Sequence, residues 1–221
     1  NFFVYAGQGV LVLPCTVWDA VFQDMHPDAG GTACCGSNTD FTEMWWFWRS
    51  RLNVTGYPDR AAKYNITEGT WDIMPIDRLS WIDRSVLGYP IAIDNSGVIF
   101  EHESSPDNDG NPLLARMRTS YAYLDEAQTF THIDQMIPDF IWGEYGGDED
   151  AQISITLYTV ETPGETPIVT GPYLVTKATT YVTLDPPIRA RQIAVEISSA
   201  DVGSFWRIGR LRFRTAGAGR R

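Results

Sequence analysis

The sequence has no run of about 18 consecutive apolar residues, the length that a membrane-spanning helix requires. It also lacks the G-x-S-x-G, Walker A and H-E-x-x-H motifs, which carry the chemistry of α/β-hydrolases, P-loop NTPases and zinc proteases. Its three histidines, His26, His102 and His132, have no partner at a spacing typical of catalysis. We therefore expect a protein that is not an enzyme and that holds neither a cofactor nor a metal ion.

Cysteine is also scarce, with only Cys15, Cys34 and Cys35. An odd number that includes a vicinal pair is a poor disulfide framework, so we expect free, mostly buried thiols in a reducing cytoplasm. Together with His26, the three thiols have the composition of a Cys3His zinc site. Their spacing, however, does not match the C-x2-4-C knuckles that such sites use.

The N-terminus lacks the features of a secretory signal. Residues 1–5, NFFVY, contain neither a basic start nor a small-residue cleavage site, and the chain does not begin with Met. Because it opens directly in a strand-like run, we expect that it continues from a longer polypeptide.

Positive charge is rare except near the C-terminus. The net charge is −11, from 17 basic and 28 acidic residues. Residues 188–221 contain eight Arg and two acidic residues, a net +6, which leaves −17 for residues 1–187. An acidic body disfavours stable binding to nucleic acid and suits a surface past which DNA slides, although acidity also serves solubility alone.

Helical periodicity is nearly absent, and short runs rich in β-branched and aromatic residues predict strands instead. Residues 91–93 and 98–100 flank Asp94-Asn95-Ser96-Gly97, which has the residue preferences of a hairpin turn. Other predicted strands are 10–17, 44–49, 114–121 and 130–136. Antiparallel units of roughly 40 residues, near 2–40, 41–76 and 79–109, match the length of a propeller blade.

The second half has a cleaner alternation of apolar and polar residues. Residues 145–150, YGGDED, form a polar, acidic break that predicts a domain junction or a long loop. Beyond it, Ile153, Ile155 and Leu157 alternate with polar neighbours, and residues 192–197 do the same. The turn-rich segment 161–167 separates two strands. One packed and one wet face per strand is typical of a β-sandwich. We therefore predict an all-β protein with β-propeller-like blades in residues 1–142 and a β-sandwich in 143–221 that ends in a basic, flexible tail from Thr215.

The last predicted strand carries the strongest candidate for a partner contact. Its apolar residues change parity near Gly209, which predicts a bulge or twist there. A solvated polar face, contact with an acidic neighbouring subunit and contact with DNA phosphate are all compatible with the pattern. The candidate subunit-interface residues are Arg207, Arg210, Arg212 and Arg214.

Several short motifs occur in the order found in one family. Residues 9–22, GVLVLPCTVWDAVF, and 43–48, EMWWFW, resemble successive strands of the tail hub or nozzle proteins of short-tailed bacteriophages, also described as packaged-DNA stabilisation proteins. The resemblance covers most of the chain. The other segments that carry it are 58–60, 64–65, 68–71, 80–84, 99–103, 137–140, 205–211 and Arg220-Arg221.

This resemblance implies a structural role in the virion. Such proteins form homo-oligomeric rings, typically hexamers, that form or close the tail channel for genome retention and ejection. The implied partners are other tail proteins, namely an adaptor, a portal-proximal ring, and fibres or a needle. Double-stranded DNA passes only transiently, without stable sequence-specific binding. The resemblance also implies that residues 1–142 are the C-terminal part of a larger propeller and that the protein is made in the host bacterial cytoplasm.

Several other segments contain residue types that occur in binding or catalytic sites, although each also fits a purely structural role. Trp45, Trp46 and Trp48 fit either a doubly buried core strand or the sugar platform of a receptor- or carbohydrate-binding tail module, the alternative function. Residues 101–103, Glu-His-Glu, would place both carboxylates on one strand face and His102 on the other, as in a polar strand edge. Segments 107–110 and 148–150 are typical of turns and solvated loops rather than cation sites. A glycan-degrading enzyme needs a paired-carboxylate cleft that the sequence does not identify.

Overall fold

The computed structural model describes residues 1–5, 7–125, 129–142 and 151–219. It confirms the all-β prediction, with 48% strand and 4% helix, and none of the sheets in these ranges closes on itself. The chain divides into two compact units, Asn1–Ser104 (unit 1) and Ser105–Arg221 (unit 2). The predicted boundary after residue 142 therefore lies inside unit 2, because strands between residues 115 and 137 pair with strands that follow residue 181.

In unit 1, the described residues form three antiparallel sheets and two short helical segments. The sheets are β1-β2, β3-β4-β5-β6 and β7-β8-β9. The elements are β1 (Phe3–Tyr5), β2 (Val10–Val12), α1 (Trp18–Phe22), a 3-10 helix (Ala29–Gly31), β3 (Cys34–Asn38), β4 (Glu43–Trp48), β5 (Arg60–Asn65), β6 (Thr70–Met74), β7 (Ser80–Ile82), β8 (Ile91–Ile93) and β9 (Ile99–Glu101).

The aromatic strand β4 supplies both hydrophobic clusters of unit 1. Trp48 and Trp46 lie on one face, in a cluster with Phe2 and Trp71. The opposite face carries Trp45 and Phe47, which pack in a second cluster with Trp81. Successive strand residues point to opposite faces, so the strand is covered on both faces, with Met44 and Trp46 half-buried and the other four residues buried. The core interpretation of this strand is confirmed, and it leaves no exposed aromatic platform there.

Two local predictions for unit 1 have different outcomes. The β8–β9 hairpin is confirmed, with Ile93 opposite Ile99 and the Gly97 N–H donating to the Asp94 carbonyl over 3.3 Å. The strand predicted for residues 10–17 is wrong beyond Val12. The chain there leaves the sheet and forms α1, which buries Val21 against the Phe2 cluster.

The described residues of unit 2 form ten strands in three sheets. The largest has the order β10-β17-β14-β15, with β11 also paired to β17, and the others are β16-β12-β19 and β13-β18. The strands are β10 (Ala115–Arg118), β11 (Ala122–Tyr123), β12 (Thr131–Ile137), β13 (Phe140–Trp142), β14 (Ile153–Val160), β15 (Ile168–Val175), β16 (Val182–Ala190), β17 (Gln192–Ser199), β18 (Trp206–Ile208) and β19 (Arg212–Gly217).

One aliphatic core joins the two larger sheets of unit 2. Ile133 and Met136 of β12 lie in the same buried cluster as Ile155 of β14 and Ile197 of β17. The alternation predicted for β14 is confirmed, since its odd-numbered residues from Ile153 to Leu157 are buried and their neighbours half-buried. In β17 the predicted wet face is wrong at Gln192 and Ala194, which are buried and lie opposite Val160 and Tyr158 of β14.

No helix in the described part of the chain is long and apolar enough to cross a membrane. The predicted acidic break at 145–150 and the terminal Arg220 and Arg221 lie outside the described residues. The tail predicted to be flexible from Thr215 is ordered as β19 up to Gly217.

Candidate functional site

The four candidate arginines lie on two strands and the link between them, not on one strand. Arg207 is in β18, Arg210 is in the link, and Arg212 and Arg214 are in β19. β18 pairs with β13, whereas β19 pairs with β12. The bulge predicted near Gly209 is thus a break between two strands. All four side chains are exposed, and we call this set the arginine surface.

Asp139 holds the link in place. Its carbonyl accepts a 2.7 Å hydrogen bond from the Gly209 N–H, and its carboxylate accepts one of 3.2 Å from the Arg210 N–H. A Cβ at position 209 would lie 2.7 Å from Asp139 Oδ2, so this close approach requires glycine. The Arg212 guanidinium lies 4.0 Å from the same carboxylate, at the limit of an ion pair.

Arg214 forms the best-defined ion pair of the arginine surface. Its Nε and Nη2 donate to Asp134 Oδ1 and Oδ2 over 2.7 and 2.8 Å. The pairing of β12 shifts register between Ile133 and Gln135, and this irregularity places Asp134 beside β19. Two charge-assisted hydrogen bonds from Arg214 lower the pKa of Asp134 and raise that of Arg214.

The other two arginines are freer to bind a partner. Among the described residues, neither Arg207 nor Arg210 forms an ion pair within 4.0 Å. The Arg207 guanidinium lies 5.8 Å from the centre of the Phe205 ring, the outer limit of a cation–π contact. Within the described ranges, their guanidinium groups are therefore not held by an acidic side chain.

A shallow concavity of about 510 Å³ adjoins Arg214 on the outer face of the β16-β12-β19 sheet. Its polar lining groups can donate and accept hydrogen bonds at fixed spacing, as a small polar ligand requires. The lining residues are His132, Asp134, Pro187, Arg214, Thr215 and Ala216.

Sequence reasoning missed a second basic group in unit 2. The guanidinium carbons of Arg189 and Arg191 lie 3.5 and 4.4 Å from the centre of the buried Phe130 ring. Arg191 Nε is buried without a hydrogen-bond partner in the described structure, and Arg189 is 3.8 Å from Glu161. The only signal for this group in the sequence was the clustering of Arg near the C-terminus. The contact with Phe130 joins residues that are far apart in sequence, so it has no local pattern.

The Glu101-His102-Glu103 motif is structural but not in the predicted geometry. β9 ends at Glu101, and Glu103 has φ 59°, so the two carboxylates do not share a strand face. His102 accepts a 3.0 Å hydrogen bond from Arg78 Nε and packs 4.7 Å from the Trp81 ring. Burial, with a contribution from the Arg78 charge, lowers the pKa of His102 to about 4, so the imidazole is neutral at pH 7.

A buried ion pair in unit 1 also had no sequence signal. Glu43 is 8% exposed and accepts hydrogen bonds from Lys63 Nζ at 3.1 Å and Trp45 Nε1 at 3.0 Å. Burial opposes the charge of Lys63, but Glu43, Asp72 and Glu103 raise its pKa overall. Both Glu43 oxygens have protein partners, as in a structural ion pair.

The segment 107–110, weighed above as a turn or a cation site, is a turn in the structure. Residues 107–110 form the predicted turn, with the Gly110 N–H donating to Asp107 Oδ1 over 2.9 Å.

The three cysteines are free, but the expectation of buried thiols is wrong, because Cys15 and Cys34 are half-buried and Cys35 is exposed. No group of three or more His, Cys, Asp or Glu in the described ranges is arranged to hold a metal ion. Residues 148–150 lie outside those ranges.

The exposed guanidinium groups of the arginine surface are suited to binding carboxylates. Comparison with known proteins finds no protein-family model and no curated protein that matches the chain.

Proposed function

We propose that the chain is a non-enzymatic structural subunit of a bacteriophage tail, part of a hub or nozzle ring that forms or closes the channel for genome retention and ejection. The observation that carries this proposal is the exposed arginine surface on a chain whose residues 1–187 carry a net −17. Opposite charges on different surfaces of one chain favour contacts between unlike surfaces of neighbouring copies. Such contacts close into rings when the rotation between copies is suitable.

Three features of the arginine surface suit it to subunit contact. Arg207 and Arg210 are not held in ion pairs by the described residues, and Arg212 is held only weakly. β19 lies at the end of its sheet, so its outer backbone groups can also pair with a neighbour. Guanidinium groups form bidentate contacts with carboxylates, which gives such a contact a defined geometry.

The sheets of the two units suit the fold that the resemblance implies. Strands β3 to β6 form a four-stranded antiparallel meander within residues 34–74, the size of one propeller blade. We infer that this meander is a blade-like element. For unit 2 we propose a β-sandwich, supported by the aliphatic core shared by its two larger sheets.

The charge of the chain also supports passage of DNA. Acidic surfaces repel phosphate, so DNA moves through the channel without being trapped. The arginine surface would then face protein and not DNA. In this proposal the chain contacts other copies and adjoining tail proteins in the virion, after synthesis in the host cytoplasm.

Complementation of a phage that lacks the gene for this chain tests the proposal. We expect packaged heads that lose DNA or expose it to nuclease, with genome retention restored by the wild-type chain. A variant with Arg207, Arg210 and Arg212 changed to Glu should fold but fail to restore retention. The matched control is Arg84→Glu, an exposed arginine in unit 1. Normal genome retention and infection in the absence of the chain would contradict the proposal.

The concavity beside Arg214 favours one alternative, a receptor- or carbohydrate-binding tail module. His132, Thr215 and the Asp134–Arg214 pair offer hydrogen-bonding groups for hydroxyls, beside the apolar ring of Pro187. A glycan array separates the two functions, since a ring subunit should bind no glycan. Glycan binding that His132→Ala abolishes would favour the alternative.

A further inference from the structure

The β1–β2 hairpin exposes apolar side chains on both of its faces. The exposed fractions are 59% for Phe3, 44% for Val4, 73% for Tyr5, 65% for Val10, 59% for Leu11 and 58% for Val12. Residues 1–18 contain no charged side chain, although 20% of the whole chain is charged. Apolar surface of this extent is unusual on a monomer and marks a contact site.

The base of this hairpin is firmly anchored to unit 1. Phe2 is buried, with ring centres 4.6 Å from Trp46 and 4.7 Å from Trp71. The Leu13 N–H donates to the Phe2 carbonyl over 2.9 Å, and Trp71 Nε1 donates to the Pro14 carbonyl over 2.9 Å. The exposed strands are therefore held in position by a packed base.

Both edges of the hairpin are free. Its sheet contains only β1 and β2 among the described residues. The hydrogen bond between Phe2 and Leu13 sets the alternation of the ladder, so the backbone groups of Phe3 and Tyr5 on β1, and of Val10 and Val12 on β2, point outward.

Two other terminal strands of the described structure carry features that discourage pairing, and the hairpin does not. β15 contains Pro172, and β10 carries Arg116 and Arg118. Proline and charge are the usual means of blocking strand addition at an exposed edge. Residues 3–5 and 10–12 contain neither proline nor a charged residue, so nothing in their sequence blocks the addition of another strand.

We propose that the hairpins of neighbouring copies pair edge to edge, β1 of one copy against β2 of the next, into a continuous sheet; this partner assignment rests on the proposed ring. Pairing β1 with β1 would leave both β2 edges open, whereas pairing unlike edges around a closed ring covers every edge.

Charge and area support a second copy as the partner. Each copy carries −11, so copies repel except where they meet through uncharged or oppositely charged surface, and the hairpin is uncharged. Since a side chain of this size presents on the order of 200 Å², the six residues offer roughly 700 Å² per copy, or about 350 Å² at each of the two edges, so the hairpin supplies part of the ~800 Å² that each partner contributes to a standard interface.

Analytical ultracentrifugation of the full chain over a range of concentrations tests this inference. Wild type should assemble, and Val10→Pro should weaken assembly by roughly tenfold or more. This change removes an outward N–H without breaking a hydrogen bond inside the hairpin. Val10→Lys, which places charge on the same edge, should have a similar effect. The matched control is Val86→Lys, at a fully exposed valine of unit 1, and near-UV circular dichroism should show an unchanged tryptophan environment in all variants.

The outcomes separate this inference from the proposed function. A wild-type chain that stays monomeric, or an assembly that both Val10 variants leave unchanged, would overturn the hairpin contact. If only the arginine variants dissociate the assembly, the ring stands and the hairpin contact fails. If the Val10 variants dissociate it but the chain is absent from the tail, the hairpin contact stands and the proposed function fails.

Discussion

The two units are stabilised by different kinds of core. Unit 1 contains six of the eight tryptophans, and its clusters are built from stacked or tilted rings such as Trp45 and Trp81, whose centres are 5.0 Å apart. Unit 2 has one aliphatic core, built from Ile, Leu and Val side chains at alternating positions of its strands. The packing of aromatic rings depends on the distances and angles between them. The burial of aliphatic side chains, by contrast, follows from the alternation of successive residues between the two faces of a strand. We therefore expect unit 1 to be more sensitive to small changes of shape.

Charge distinguishes the units as well. Residues 1–104 contain 6 basic and 13 acidic residues, and residues 105–221 contain 11 and 15. The basic residues of unit 2 include the arginine surface and the Arg189–Arg191 pair, whereas Lys63 of unit 1 is used in a buried ion pair. The contrast supports contact between unlike surfaces of neighbouring copies.

The largest expected effect is loss of the central tryptophan of unit 1. Trp48→Ala should lower the free energy of unfolding by about 3–5 kcal/mol, because the large buried ring leaves a cavity. Urea denaturation followed by tryptophan fluorescence measures it. Leu52→Ala, at an exposed site, is the control and should stay within about 0.5 kcal/mol of wild type. Equal effects at the two positions would contradict the aromatic core.

A single added methyl group tests the sensitivity of ring packing. A Cβ at Gly36 would lie 2.1 Å from Trp81 Cδ1, so Gly36→Ala must displace a ring packed against Trp45 and His102. We expect a loss of about 1–3 kcal/mol in the free energy of unfolding. Gly30→Ala, which meets nothing within 4 Å, is the matched control and should be nearly neutral. A neutral Gly36→Ala would show that the aromatic cluster tolerates displacement.

Acid should destabilise unit 1 through His102. Its pKa is about 4 in the folded protein and 6.5 ordinarily, so the unfolded chain binds more protons between these values. The stability it contributes is fully present above pH 6.5 and is lost as pH falls toward 4, by about 2 kcal/mol after allowance for partial exposure. Denaturation midpoints across this range should vary less in His102→Gln, and His132→Gln is the control. A His102 pKa near 6.5 by NMR would be inconsistent with burial against Trp81.

The smallest expected effect is at the exposed ion pair of unit 2. The pKa of Asp134 should lie below its ordinary 3.8, because Arg214 hydrogen-bonds the ionised form. The pair therefore stabilises the fold above that value and loses its effect as pH falls through the lower folded pKa. NMR titration should show the Asp134 pKa rising in Arg214→Gln and unchanged in Arg210→Gln. An identical pKa in wild type and Arg214→Gln would mean that the pair does not persist in solution.

Some parts of the fold could be predicted from local sequence patterns, such as the alternation of apolar and polar residues along a strand. The alternation from Ile153 to Leu157 and the Asp94–Gly97 turn are local patterns, and both are confirmed. Residues 10–17 also look like a strand, but the burial of Val21 and Trp48 with Phe2 favours a helix after Val17, a tertiary effect. The pairing of β10 with β17, some 80 residues later, also has no local signal in the sequence.

The candidate site was predictable in composition but not in geometry. The exposure of Arg207, Arg210, Arg212 and Arg214 follows from their alternation with apolar residues. The break between β18 and β19 depends on Asp139, which is far away in sequence. The contact of Arg189 and Arg191 with Phe130 likewise has no local signature.

Electron cryomicroscopy of virions that contain this chain tests the central claim most directly. Our account predicts several copies in a closed ring around the tail axis, with the arginine surface of each copy against acidic groups of a neighbouring subunit. A chain located away from the tail axis, or present as isolated copies that do not contact one another, would contradict it.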